Sequence, residues 1–279
     1  MKVHFWGVRA DLAIPNPTAL RYGGHTICTT VTDDQDNLCC LDAGFGLTAL
    51  GRKLMAAEFG RGEGSALILI SHNNWDHTQG IGFFGPFFKK GNRFTFYGLG
   101  SEEFAFYDRM ETQLYPALSP LQTLNHLEAQ LSFRESSPRV FEWGAMQIQS
   151  ALMPPGAEYG GGYRPLAYRL SEAGRSLVYV TEAEYPNGHL PDSFVDFCRG
   201  ASLLIHDAYF TTEDYRPGWG HSPVEMAVEL AEKAEIPRLA LYHFNPTYDD
   251  AKIDEMVLAC QRNSHLEVLG AQEGLELTV

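Results

Sequence analysis

The chain has 279 residues, 44% of them hydrophobic and 12% aromatic, enough to bury a large core in one compact α/β domain. A formal charge of -14 and a pI near 5.1 create a field that repels polyphosphates, which argues against a basic nucleic-acid groove and against attachment to an anionic membrane. No apolar run is long enough to span a bilayer, and Met1 to Gly7 enters a strand pattern without a signal peptide's apolar region, so the expectation is a soluble, cytoplasmic protein with no membrane partner.

In the first half, strand patterns cover Lys2 to Trp6, Ile27 to Thr32, Asn37 to Asp42, Ala66 to Ser71 and Arg93 to Gly98, separated by Gly, Pro and Asp. Leu47 to Phe59 has apolar residues at helical spacing and stops at Gly60, which suits a left-handed C-terminal cap. Ser101 to Gln113 and Ser119 to Gln130 are further helix candidates. In the second half, strands fall near Met146 to Ala151, Ala167 to Leu170, Ser176 to Thr181, Ser202 to His206 and Arg238 to Tyr242. Helices fit Ser222 to Ala234, where Ser222-Pro223-Val224-Glu225 reads as an N-terminal cap, and Asp249 to Gln261. Gly160 to Gly162 reads as a loop between two strands. The five cysteines are odd in number and lack C-x-x-C spacing, so they read as buried free thiols, with the neighbours Cys39 and Cys40 on opposite faces of a strand.

The most telling turn follows the apolar run Ala66 to Ile70. Ser71-His72-Asn73-Asn74-Trp75-Asp76-His77 packs two imidazoles and a carboxylate together, a layout suited to a divalent ion. Asn74, two residues after His72, offers only an amide oxygen, a far weaker ligand. Three later turns place polar groups just after apolar strands: Thr181-Glu182-Ala183-Glu184, His206-Asp207-Ala208 and Tyr242-His243-Phe244-Asn245-Pro246. Groups at the ends of strands in a rigid sheet can converge from distant parts of a chain.

With these pieces go Phe5-Trp6-Gly7-Val8-Arg9, Arg21-Tyr22-Gly23-Gly24-His25-Thr26, Leu41-Asp42-Ala43-Gly44 and Gly220-His221-Ser222. In this order the chain resembles the metallo-β-lactamase-fold hydrolases, particularly their RNase Z-like and cyclic-nucleotide phosphodiesterase-like branch. The resemblance implies one metallo-β-lactamase-like domain over residues 1–279, an αββα four-layer sandwich with a metal cleft at one edge of its two sheets. His72 matches the first histidine of the H-x-H-x-D-H motif, and Asp76 and His77 match its last two residues. Asn74 replaces the second histidine, Pro154 stands where a further histidine is usual, Glu182 takes the place of the bridging aspartate, and His243 matches the last histidine ligand. Asp207 and His221 match the positions that this branch uses for proton transfer to the leaving group.

The implied metal set is His72, Asp76, His77, Glu182 and His243, with loss confined to the half around His72. The expectation is a divergent hydrolase with one zinc ion, manganese or iron being admissible, acting on a phosphodiester or small ester, with Asp76, Asp207 and His221 as catalytic groups. A small-molecule substrate is expected, nucleic acid is not, and a homodimer is the default assembly. The alternative is a non-catalytic relative that binds a metabolite, ion or protein partner, its His72, Asp76 and His77 serving only to hydrogen-bond one another and cap a loop.

Overall fold

A computed structural model describes residues 1–100, 104–115, 123–135, 139–154 and 164–279. Among these residues two seven-stranded sheets face each other. One runs from edge to edge as Glu276–Thr278, Lys2–Gly7, Cys28–Thr32, Leu38–Leu41, Ser65–Leu69, Arg93–Gly98 and Gln130–Glu135. The other runs as Glu267–Gly270, Arg238–Tyr242, Leu203–Asp207, Arg175–Val180, Leu166–Glu172, Met146–Leu152 and Val140–Trp143. Each is antiparallel at one end and parallel at the other.

Strand alternation sorts the side chains into layers. Leu67 and Leu69 face the core shared by both sheets, whereas Ala66, Ile68 and Ile70 join an outer layer with Leu47, Leu50, Phe84, Phe87, Phe94 and Phe96. Cys39 and Cys40 divide in the same way, and all five thiols are free and buried. The outer face of the first sheet is covered by helix Leu47–Met55 and the turns after it, and that of the second by Glu225–Lys233 and Asp250–Arg262. This is the αββα sandwich that the motifs implied. Among the described residues, no helix is long and apolar enough to cross a membrane.

Several boundaries differ from the sequence reading. The helix expected over Leu47 to Phe59 divides into Leu47–Met55 and Glu58–Arg61, with Ala57 out of helical geometry between them. The left-handed cap falls at Gly62 (φ 79), while Gly60 is required for another reason: a Cβ there would lie 2.1 Å from the Met55 carbonyl. Ser222 does not cap the next helix, which begins at Glu225 with Val224 at the cap; its hydroxyl accepts the Tyr185 N–H at 2.7 Å. The edge strands Gln130–Glu135 and Val140–Trp143 and the helix Asp192–Cys198 were not anticipated. The helix expected over Ser101 to Gln113 is present as Phe106–Gln113, its first residues lying outside the described ones. The helix expected over Ser119 to Gln130 is not found: residues 119–122 lie outside the described ones, and the rest holds only a short turn, Leu124–His126, before a strand that starts at Gln130. The Gly160 to Gly162 loop lies outside the described residues.

A buried cation ties the loops near the strand ends. Arg9 is 0% exposed, and its backbone pairs with Thr26 on one side and Phe244 on the other. Its Nε donates to the Gly23 carbonyl at 2.7 Å, and Nη1 donates to those of Tyr248 at 2.7 Å and Asn245 at 3.5 Å. Desolvating a guanidinium is costly, and here carbonyl dipoles take the place of water. Arg9→Met keeps apolar length but strands those carbonyls, so unfolding free energy should fall by about 2–4 kcal/mol. Urea titration would show this as a lower midpoint at unchanged slope; an unchanged midpoint would mean that these bonds contribute nothing net.

Candidate metal centre

Four polar turns meet because the strands that carry them point the same way. Arg175–Val180, Leu203–Asp207 and Arg238–Tyr242 are parallel neighbours, so Glu182, Asp207 and His243 emerge at one edge of their sheet. In the facing sheet Leu38–Leu41 and Ser65–Leu69 are also parallel, and bring up Asp42 and the turn leading to the short helix Trp75–Thr78 with Asp76 and His77. Asp42 (φ 58), Glu182 (φ 52) and His243 (φ 61) all take the left-handed conformation immediately past a strand. Each such residue costs on the order of 1–3 kcal/mol, which only a well-determined surrounding can hold.

Asp76, His77, Glu182 and His243 place one donor atom each within 4.8 Å of all the others. His77 Nε2 lies 3.0 Å from Glu182 Oε1 and 3.5 Å from Asp76 Oδ2. His243 Nε2 lies 3.1 Å from Asp76 Oδ2 and 3.5 Å from Glu182 Oε1. Bonds of about 2.0–2.2 Å from zinc to nitrogen and oxygen imply tetrahedral donor separations of about 3.3–3.6 Å, so this spacing fits a four-coordinate ion.

The opposite nitrogens are occupied. His77 Nδ1 lies 3.1 Å from Asp42 Oδ2 and the same distance from the Ser71 hydroxyl. Asp42 is itself held by the Ser71 hydroxyl at 2.6 Å, the Ser71 N–H at 2.8 Å and the Tyr179 hydroxyl at 2.8 Å. His243 Nδ1 lies 3.1 Å from Asp207 Oδ1, and the other Asp207 oxygen lies 2.8 Å from His221 Nδ1. Buried carboxylates on the outer nitrogen set the tautomer and aim Nε2 inward, the outer-sphere pattern of a metal-ligating histidine.

Electrostatics make the same demand. Asp42, Asp76, Glu182 and Asp207 are at most 4% exposed, and such a concentration of buried carboxylates needs cations. Protons on the imidazoles can supply them. Burial opposes charge on His77, yet Asp76 and Asp42 outweigh it and hold the ring well above its ordinary value. Burial likewise opposes charge on His243, but its bonds to Asp207 and Asp76 push it up to about 10. Burial would raise Asp207, and His221 and His243 instead bring it down to about 2. His72 goes the other way: burial outweighs the pull of Glu182 and lowers it to about 4, so this ring stays neutral.

Of the expected metal set His72, Asp76, His77, Glu182 and His243, the structure brings the last four together, and it brings Asp207 together with His221 and His243. His72 lies at the edge, its ring centroid 5.5 Å from that of His77, and is in neither group of converging donors among the described residues. Asn74 is exposed and Pro154 is buried, so neither position brings an imidazole to the His72 side.

Sequence reasoning missed the supports. Asp42 stood in a recognised motif without a role, because its partner is 35 positions away. Glu184 is 4% exposed; Oε1 accepts the Gly218 N–H at 2.6 Å and the Tyr215 hydroxyl at 3.1 Å, and Oε2 accepts the Gly220 N–H at 2.8 Å, fastening the loop that leads to His221. Tyr209 stacks on His221 at 4.2 Å and 8°, and its hydroxyl donates to Asp11, whose own N–H donates to Asp76.

Comparisons with known proteins agree with this architecture. A family model described as a β-lactamase superfamily domain matches residues 39–244. A ribonuclease Z from Sulfolobus acidocaldarius is 44% identical over 86 residues, 31% of this chain and 28% of that protein, so the match spans less than a third of the relative. A diphosphatase from the PhnP family superposes with a TM-score of 0.69 at 17% identity, covering 100% of this chain and 97% of the other. Zn(2+)-bound PqqB from Methylobacterium extorquens gives a TM-score of 0.69 at 16% identity over 100% of both chains. At these identities the two superpositions speak for the fold alone.

Proposed function

The chain belongs to the β-lactamase superfamily, in the RNase Z-like branch of the metallo-β-lactamase-fold hydrolases, and from that premise we propose a divergent metal-dependent hydrolase that acts on a phosphodiester or small ester with a single divalent ion. The observation that carries this reading is the near-tetrahedral spacing of Asp76, His77, Glu182 and His243, with the outer nitrogens of both histidines held by Asp42 and Asp207. Zinc, or manganese or iron in its place, would activate water and neutralise developing phosphoryl charge when bound by those four residues.

The chain's own groups do the rest. His221 Nε2 lies 3.7 Å from Glu182 Oε2, so an ester oxygen seated beside Glu182 is within reach of its proton. Asp207 and Glu182 favour the protonated ring against the opposing effect of burial, and Tyr209 fixes its plane. Asp207, 1% exposed, acts through His221 and His243 and does not itself touch substrate, which makes it a positioning residue. Asp76 would be one of the residues that hold the ion, and its carboxylate would help to orient the water that the ion activates.

One observation favours a second reading, a non-catalytic relative that binds an ion, metabolite or partner: with Asn74 exposed and Pro154 buried, the two-ion arrangement is unsupported on the His72 side. The matched relative is named a ribonuclease, whereas a field of -14 offers a structured RNA little attraction, so a small diester is the proposed substrate and a homodimer the proposed assembly. The test is metal analysis of zinc- and manganese-loaded protein together with turnover of bis(4-nitrophenyl) phosphate. One ion per chain with hydrolysis is expected. One ion without hydrolysis selects the second reading, and neither ion nor hydrolysis overturns the first.

A further inference from the structure

A tight turn around Asp11 is fastened directly to the centre. The Ala10 N–H donates to the carbonyl of Phe244, the residue after His243, at 3.0 Å. The Asp11 N–H donates to Asp76 Oδ2 at 3.0 Å, the same oxygen that lies 3.1 Å from His243 Nε2. The Asp11 carboxylate accepts the Tyr209 hydroxyl at 2.6 Å, and the Tyr209 ring lies flat on His221, 4.2 Å away at 8°. The Leu12 N–H closes the turn on the Ala10 carbonyl at 2.6 Å.

The backbone here is strained. Asp11 takes a left-handed φ of 56°, which Asp and Asn tolerate better than most residues with a Cβ, yet only a well-determined surrounding holds one there. Asp11 itself is exposed, whereas Tyr209 is 6% exposed and shares a small apolar cluster with Ala10 and Phe210. Its hydroxyl bond to Asp11 has the short length of a charge-assisted O–H to carboxylate contact. The stack matters for His221. Asp207 fixes Nδ1 of that ring at 2.8 Å, which leaves the ring able to swing about the bond, and a second ring lying on its face blocks the swing.

We propose that Asp11 is a positioning residue of the centre: it acts through the Tyr209 hydroxyl to keep the His221 ring aimed at the space beside Glu182. For its effect on turnover the inference rests on the hydrolase reading; for the ring's orientation it does not. His221 Nε2 lies 3.7 Å from Glu182 Oε2, so a swing of the ring would carry its proton away from a departing ester oxygen seated there. The Asp11 N–H serves Asp76 separately, and that bond does not depend on the side chain.

The experiment compares wild type, Asp11→Gly, Asp11→Asn, Tyr209→Phe and the Asp11→Gly, Tyr209→Phe double variant, all zinc-loaded. Glycine keeps the left-handed turn and the N–H to Asp76 while deleting the carboxylate, and asparagine restores an acceptor. The ring signals of His221 in carbon–proton correlation spectra are assigned by their loss in His221→Gln. They should lose the upfield displacement of a stacked ring in Asp11→Gly and recover it in Asp11→Asn. Tyr209→Phe should move them the same way as Asp11→Gly, which keeps the test open should the glycine variant not fold. With bis(4-nitrophenyl) phosphate, kcat should fall about 10-fold in Asp11→Gly and in Tyr209→Phe with KM within about 2-fold, and the double variant should fall no further, against the roughly 100-fold of independent residues. Zinc affinity in Asp11→Gly should stay within about 3-fold of wild type, because the N–H to Asp76 remains. Unmoved His221 signals, multiplied losses in the double variant, or no recovery in Asp11→Asn would overturn the role of Asp11. Zinc affinity lost in step with kcat would overturn its action through His221 and make it a support of Asp76. If the ring signals respond as expected while not even the wild type turns over the ester, the positioning holds and the hydrolase reading fails.

Discussion

His243→Ala should lower zinc affinity by more than about 100-fold while leaving a folded chain. A structural zinc site of four protein ligands is worth about 10–16 kcal/mol, so one ligand carries on the order of 3 kcal/mol. His243 contributes twice over: Nε2 faces Asp76 and Glu182, and Nδ1 engages Asp207. Alanine removes the donor and also leaves Asp207 with His221 as its remaining imidazole partner. The ring is 0% exposed, so some loss of stability accompanies the change; circular dichroism at the temperature of the binding assay keeps the two effects apart. Competition titration against a chelator gives the affinity. Equal zinc binding by wild type and variant would remove His243 from the ligand set and turn attention to the His72 side.

What was legible in the sequence follows the distance over which each residue acts. Asp76 and His77 are neighbours on one helical turn, so their shared purpose could be read locally. Glu182 and His243 emerge from separate strands, and only the order of motifs along the chain linked them to that turn. Asp42 acts on His77 through a contact that no local pattern encodes, and Glu184 acts on a loop more than thirty residues downstream. Ser222 shows the opposite failure: a good local capping pattern gave way to a tertiary hydrogen bond with Tyr185. Central strands such as Ser65–Leu69 were legible from continuous apolar runs, whereas Gln130–Glu135 lies at a sheet edge with polar residues along it. There the amino acids record solvent exposure more clearly than strand geometry.

Asp207→Asn should affect two measurements that His221→Gln separates. Asp207 joins the proposed ion site to the proposed proton donor, with one oxygen 3.1 Å from His243 Nδ1 and the other 2.8 Å from His221 Nδ1. The isosteric amide keeps one accepting oxygen and turns an NH₂ toward the other ring, so both imidazoles can no longer be held as N–H donors. On the His243 side the loss of an outer-sphere carboxylate should weaken zinc binding by about 10–100-fold. On the His221 side the ring loses the carboxylate that favours its proton, and kcat should fall by about 10²–10⁴-fold under zinc saturation. His221→Gln should show the second loss without the first, because His221 is outside the group of Asp76, His77, Glu182 and His243. An Asp207→Asn protein that keeps full zinc affinity would reduce Asp207 to a packing role. Loss of zinc binding by His221→Gln would instead make His221 a ligand, drawing the ion toward the second cluster of Asp207, His221 and His243.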